Sequence, residues 1–223
     1  MSMTRVLVIR PEPGASATMN RARELGLAAI GVPLFEIEPV AWDLPDASRF
    51  DGLLVTSANA MGLGGEGLRK LQTLKVFAVG RATAAAARGA GFEIGAIGNS
   101  GADQLLESLE SPLRLLHLCG EDRRVPVSPA QEIVPLVVYR SKAVAAPDLS
   151  RARDVIALVH SPRAAQRLAE LVTDKGTIEI AAISRAAAAA AGPGWKSVQV
   201  ALEPTDDALL ALASRLCNKP DPE

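Results

Sequence analysis

A pattern that occurs twice, at one constant separation, constrains this chain more than anything else in it. Leu53-Leu54-Val55-Thr56-Ser57 falls on Ala157-Leu158-Val159-His160-Ser161 when shifted by 104 positions. The same shift brings Val79-Gly80-Arg81-Ala82-Thr83 onto Ile183-Ser184-Arg185-Ala186-Ala187, and Asp103-Gln104-Leu105-Leu106 onto Asp207-Ala208-Leu209-Leu210. A solenoid needs more copies to bury its repeating faces, so two copies predict two similar domains. Arg5-Val6-Leu7-Val8-Ile9 and Arg114-Leu115-Leu116-His117-Leu118 fit the same duplication. The competing reading is a single doubly wound domain whose alanine-rich stretches match by accident.

Each copy reads as strand, tight turn and helix. Residues 6–9, 53–55, 76–79 and 156–159 are short apolar runs rich in branched side chains, and 180–183 is a weaker fifth. Such runs, followed by helix-forming stretches, predict parallel sheets covered by helices. The first helix is expected over 15–25, closed by Gly26. Others are expected over 59–71, weakened by Gly62, Gly64, Gly65 and Gly67, over 82–88 before Gly89 and Gly91, and over 103–109 after Gly101. Val32-Pro33-Leu34-Phe35-Glu36-Ile37 and Val134-Pro135-Leu136-Val137-Val138-Tyr139 are proline-marked extended segments. Proline removes a ladder donor, so these suit edge or crossing strands between lobes.

Charge argues against a general nucleic-acid binder, since 24 lysines and arginines are balanced by 25 aspartates and glutamates. The apolar content of 48% suffices for a substantial core. Cys119 and Cys217 show no metal-ligand spacing and read as thiols of a reducing compartment. The apolar run after the amino terminus is too short for a secretory signal, and the alanine run is too short to span a membrane. The expectation is a soluble, cytoplasmic protein without bound metal.

Chemistry is expected at the strand ends, where α/β domains commonly bind ligands. Thr56 and Ser57 occupy one such end, and His160 and Ser161 the matched one. Their hydroxyls can cap the following helix, receive an oxyanion, or do both. Gly80 can let the backbone approach a ligand, or can serve strand-to-helix packing alone. Arg10, Arg81, Arg163, Arg185, Arg123 and Arg124 all follow predicted strands. Guanidinium groups suit bidentate carboxylate recognition, although a solvated surface explains any one of them equally well. Tyr139, the one tyrosine in the chain, has a phenol that can donate a proton or simply keep its hydroxyl at the surface of a core ring. Gly62-Leu63-Gly64-Gly65-Glu66-Gly67 lies too far beyond its strand for a dinucleotide fingerprint. Neither serine lies in a Gly-x-Ser-x-Gly turn, and His117 and His160 are the two histidines, which makes a hydrolase triad unattractive.

Taken in order, several segments resemble the uroporphyrinogen-III synthase family. They are Thr4-Arg5-Val6-Leu7-Val8-Ile9-Arg10-Pro11, Gly31-Val32-Pro33-Leu34-Phe35-Glu36-Ile37 and Leu54-Val55-Thr56-Ser57-Ala58-Asn59-Ala60. Phe77-Ala78-Val79-Gly80-Arg81-Ala82-Thr83, Val138-Tyr139-Arg140-Ser141 and Val159-His160-Ser161-Pro162-Arg163-Ala164-Ala165 continue the series. The resemblance implies two three-layer α/β lobes with parallel sheets, joined by a two-stranded connector. It implies a discontinuous lobe of 1–35 with 142–223, a second lobe of 41–133, and connectors at 36–40 and 134–141. It also implies a polar crevice between the lobes and a monomer.

By the same resemblance the substrate is hydroxymethylbilane, the product is uroporphyrinogen III, and no cofactor takes part. Transient contact with the preceding pathway enzyme is the partner it leaves open. Tyr139 matches the family tyrosine proposed to assist loss of the hydroxyl. Arg10, Thr56, Ser57, Gly80, Arg81, Thr83, Ser161 and Arg163 are expected at the substrate, with Arg123, Arg124 and Arg185 as further cations. Two departures stand out: Val125-Pro126-Val127-Ser128-Pro129 interrupts a segment that usually has room for a helix, and Ser184 replaces a glycine. A noncatalytic tetrapyrrole-binding protein on the same scaffold, or a small-anion-binding module, remains a competing reading.

Overall fold

The computed structural model describes residues 5–99, 101–123, 126, 128 and 130–218. In chain order its elements are β1 (Arg5–Val8), α1 (Gly14–Glu24), β2 (Ala28–Gly31), β3 (Phe35–Pro39), β4 (Gly52–Val55), α2 (Ala58–Leu63), β5 (Lys75–Val79), α3 (Arg81–Gly89), β6 (Ile94–Gly98), α4 (Ala102–Glu107), β7 (Arg114–Gly120), β8 (Glu132–Ala143), β9 (Val155–Val159), α5 (Pro162–Leu171), β10 (Ile178–Ala182), α6 (Arg185–Ala191), β11 (Ser197–Val200) and α7 (Asp206–Cys217). The chain divides into two units, Met1–Glu36 with Ala143–Glu223, and Ile37–Lys142. Among the described residues, no helix is long and apolar enough to cross a membrane.

The discontinuous unit is built on a five-stranded sheet ordered β11-β10-β9-β1-β2, with parallel pairing throughout. Every residue of β9 is buried, because the sheet has a core on each face. Alternate residues point oppositely along a strand, so Val155, Ala157 and Val159 join the cluster under α5 and α6. Ile156 and Leu158 join the cluster formed with Ala15 and Ala22 of α1 and Leu209 and Leu212 of α7. Polar caps start α5, α6 and α7. Ser161, Ser184 and Thr205 accept hydrogen bonds from the amides of Ala164, Ala187 and Ala208 at 3.1, 3.2 and 3.2 Å.

The continuous unit repeats this plan. Its six-stranded sheet is ordered β3-β8-β7-β4-β5-β6, so β4, β5, β6, β7 and β8 occupy the places held by β9, β10, β11, β1 and β2 in the first unit. Leu53, Val55, Leu116 and Leu118 face one core, with α2 and α3. Leu54 and Leu115 face the other, with Leu105 and Leu106 of α4. The duplication at 104 positions is therefore structural.

One sequence expectation meets a different structure. The helix expected over 59–71 is broken: α2 stops at Leu63, Gly65 takes φ +71°, and Glu66–Leu71 continues as a tighter 3-10 helix. A positive φ is cheap for glycine and ends a helix. The segments expected as connectors are strands of the second unit's sheet. Leu34 O accepts from Val144 N and Val138 O accepts from Val40 N, both at 3.0 Å, so β3 and β8 run antiparallel at its edge. β7 and β8 are parallel neighbours, and the described residues of the proline-interrupted connection between them contain no helix. Parallel neighbours usually need a helical crossover, and the matched pair β1 and β2 has α1.

Candidate functional site

In the second unit, β4, β5 and β7 all end beside a cavity of about 320 Å³. Thr56 and Ser57 follow β4, Val79 closes β5, and Gly120 closes β7. Tyr139 of β8, Asp103 of α4 and Arg123 of the connection after β7 complete much of the remaining wall.

Each polar group is held by something identifiable. Ser57 caps α2, accepting from Asn59 N at 3.3 Å. Thr56 Oγ1 lies 3.1 Å from Nε2 of His117, a histidine 1% exposed in the middle of β7. Burial, with a smaller contribution from the charge of Arg123, lowers the His117 pKa to about 4, so the ring is neutral at physiological pH. Arg123 donates from Nη1 to Glu121 O at 3.4 Å. Its Nε is buried without a hydrogen-bond partner among the described residues. The guanidinium thus keeps an unpaired donor and a positive charge that suit an anionic ligand. Burial pushes the Cys119 thiol up, against a smaller opposing effect of Arg123, which makes it a packing residue rather than a nucleophile.

The cavity brings together four residues singled out from the sequence: Thr56, Ser57, Arg123 and Tyr139. Gly80, Arg81 and Thr83 lie at the start of α3, outside its lining. Gly80 takes φ +87° before the helix, with open space where a side chain would stand. That positive φ is a conformational need for glycine. Arg81 is exposed. Thr83, expected to receive a carboxylate, is instead 5% exposed on the inner face of α3. Arg124 lies outside the described residues.

The other expected residues belong to the first unit. Ser161 caps α5, and Arg163 stacks over the ring of Phe35 at 4.4 Å. Arg185, the first residue of α6, is exposed, and Ser184 before it has extended backbone. The glycine replacement is thereby accommodated without strain. Arg10 is engaged by Thr18 at 3.3 Å and by Asp206 at 3.5 Å. Asp206 also meets His160 at 2.7 Å, Arg21 at 2.6 Å and Thr18 at 3.0 Å. Burial raises its pKa, but the bond and charge of His160, the Thr18 hydroxyl and Arg21 outweigh burial and hold the carboxyl below its usual value. Shifted by 104 positions, His160 matches Thr56 and Asp206 matches Ala102. Where the second unit is open, the first is filled by an ion cluster.

Sequence reasoning did not single out His117, Gly120, Asp103 or Asp206 as shaping these sites. The fully apolar setting of His117 was its one available signal. Among the described residues, no group of three or more His, Cys, Asp or Glu is arranged to hold a metal ion.

Comparison with known proteins gives one consistent answer. A uroporphyrinogen-III synthase from Chlorobaculum parvum is 34% identical over 90 residues, a match spanning 36% of this chain and 37% of that protein. The fold of a Helicobacter pylori uroporphyrinogen-III synthetase superposes with a TM-score of 0.65 at 18% identity, covering 96% of this chain and all (100%) of that one. A mutant Thermus thermophilus uroporphyrinogen III synthase gives 0.52 at 18% identity over 97% and 100%. The family model for uroporphyrinogen-III synthase HemD matches residues 16–211, and on that span the chain belongs to the uroporphyrinogen-III synthase HemD family.

Proposed function

We propose that this protein is a uroporphyrinogen-III synthase that closes hydroxymethylbilane into uroporphyrinogen III. The observation carrying this reading is the family match over 16–211 together with a strand-end cavity that holds Thr56, Ser57, Arg123 and Tyr139. The substrate is a flexible polyanion, and its closure is limited by bringing its two ends together. Holding the ends in one geometry removes much of that entropic barrier. Arg123 and the two hydroxyls receive carboxylate arms, while the neutral His117 keeps Thr56 in place without adding charge.

Tyr139 assists departure of the terminal hydroxyl. The C–O bond breaks as the oxygen gains a proton, so water leaves and an azafulvene cation forms. The substituted carbon of the terminal pyrrole attacks that cation and gives a spiro intermediate. Fragmentation and recombination then invert the ring, and loss of a proton restores the aromatic pyrrole. The sum is hydroxymethylbilane to uroporphyrinogen III plus water. Proton donation by a placed side chain contributes about 10²–10⁴-fold at most, so most of the rate and selectivity comes from holding and folding the substrate.

The test is incubation of purified protein with freshly prepared hydroxymethylbilane, followed by separation of the isomers. Formation of the III isomer is expected, and Tyr139→Phe should slow it at least tenfold. Isomer I alone, at the rate seen without protein, sinks the synthase reading. Binding of the substrate without the III isomer would point to a noncatalytic tetrapyrrole-binding protein.

A further inference from the structure

Along β8, Val134, Leu136 and Val138 face the core formed with α2 and α3. Strict alternation would send Tyr139 to the opposite face, the side on which Leu115 lies. Yet the ring of Tyr139 packs on the same core as Val138. The pairing explains this: Cys119 stands opposite Val137, but Gly120 stands opposite Tyr139. One extra residue, Val138, is accommodated on β8, which is a β-bulge, a device that re-aims a side chain. The backbone around it is pinned, since Tyr139 O accepts from Glu121 N and Val138 O accepts from Val40 N, both at 3.0 Å.

The re-aimed ring then needs a floor without a side chain. A Cβ on Gly120 would stand 2.7 Å from Cε2, 2.8 Å from Cζ and 3.1 Å from the hydroxyl oxygen of Tyr139. Gly120 is not among the glycines of positive φ, so its backbone accepts alanine. What alanine cannot keep is the position of the ring.

We propose that Gly120, with the bulge opposite it, is the positioning residue that sets the phenol of Tyr139 in the cavity. The inference rests on the synthase reading. Thr56, Ser57 and Arg123 would still hold substrate in a Gly120→Ala variant, so the change should fall on kcat rather than KM. A displacement approaching 1 Å can cost up to about 10²-fold, and a loss of about tenfold is expected here. Because Tyr139 is the one tyrosine, a ring-labelled tyrosine gives one NMR signal for the site.

The experiment compares wild type, Gly120→Ala, Tyr139→Phe and the double variant for the rate of isomer III formation, with the labelled ring signal and thermal unfolding of the first two. Expected are a shifted ring signal in Gly120→Ala, a kcat about tenfold lower with KM little changed, and a double variant no slower than Tyr139→Phe alone. Multiplying losses in the double variant, or a Gly120→Ala enzyme with wild-type kcat beside a slow Tyr139→Phe, overturns the inference while leaving the synthase reading intact. A wild type that makes no isomer III sinks the synthase reading instead, and the ring signal still decides whether Gly120 places Tyr139. If Gly120→Ala unfolds, Gly120→Ala with Tyr139→Ala should regain the stability of Tyr139→Ala, because the obstructing ring is gone. Failure to regain it overturns the inference.

Discussion

Acidification between about pH 6.5 and 4.5 should weaken the second unit through one buried side chain, His117. In the folded protein its pKa is lowered from 6.5 to about 4. Above the unfolded value both states hold a neutral ring, and His117 contributes no pH dependence. As pH falls through it, the unfolded chain takes up a proton that the folded chain refuses. Stability therefore declines with falling pH, by up to about 1.4 kcal/mol per unit, until the folded ring itself protonates. Across two units the loss is ~2.5 kcal/mol, a large fraction of a typical domain's stability. Carboxylates held below their usual pKa, such as Asp206 and Glu38, lose their contributions only at lower pH. The two tryptophans make the assay specific: Trp42 belongs to the second unit and Trp195 to the first. In a Trp195→Phe background, urea unfolding followed by Trp42 fluorescence reports the second unit, with and without His117→Gln. The wild-type stability should fall more steeply with acid than that of the glutamine variant. Parallel lines over this range would refute the claim that His117 is buried neutral.

Asp206→Asn should destabilise the first unit by about 2 kcal/mol at neutral pH, less than a fully buried pair because Arg10 and Arg21 are partly exposed, since His160, Arg10 and Arg21 lose a shared carboxylate. The folded pKa is depressed, so the carboxylate's contribution is present above its unfolded value of 3.8 and disappears as pH falls through the folded one. Unfolding monitored by Trp195 should show the gap between variant and wild type closing below about pH 4; a constant gap down to pH 3 would contradict it. Gly80→Ala should cost about 2 kcal/mol through backbone strain alone, since φ is +87° and nothing crowds the added methyl. An unchanged melting temperature would refute that account.

What could be read from the sequence was local or repeated. The strands were legible because continuous apolar runs such as Val155–Val159 are buried on both faces. Ser57 and Ser161 were legible as caps because a hydroxyl between a strand and a helix has an immediate local partner, here Asn59 N and Ala164 N. The break of the helix at Gly65 is half visible: the glycines weaken it, but the positive φ that ends it depends on packing. The contacts that shape the sites are long-range. Thr56 and His117 are 61 residues apart, and Thr18 and Asp206 are 188 apart, so no spacing rule reaches them. The bulge at Gly120 is a property of two strands in register, and neither strand alone declares it. The burial of Thr83 is hidden for a related reason: a hydroxyl on the third residue of α3 can face solvent or core, and it lies on the buried face with Ala84 and Ala87.

The two halves of the duplication therefore kept one sheet plan and diverged at the strand ends. In the second unit the described residues between β7 and β8 form no helix, Thr56 and Ala102 are small, and space remains at the sheet's carboxyl edge. In the first unit α1 covers the matched region, and His160 and Asp206 stand at the positions of Thr56 and Ala102 and satisfy each other. Side chains that pair with one another stabilise a fold but leave little capacity for a ligand. Groups held in place yet incompletely satisfied, such as the Arg123 guanidinium, retain that capacity. On this argument the capacity to take a ligand lies with the half that is open. The filled half supplies a rigid scaffold, and exchanging Asp206 for a small apolar residue would trade its stability for an opening without creating the phenol, the glycine floor or the loop cation that the second unit has.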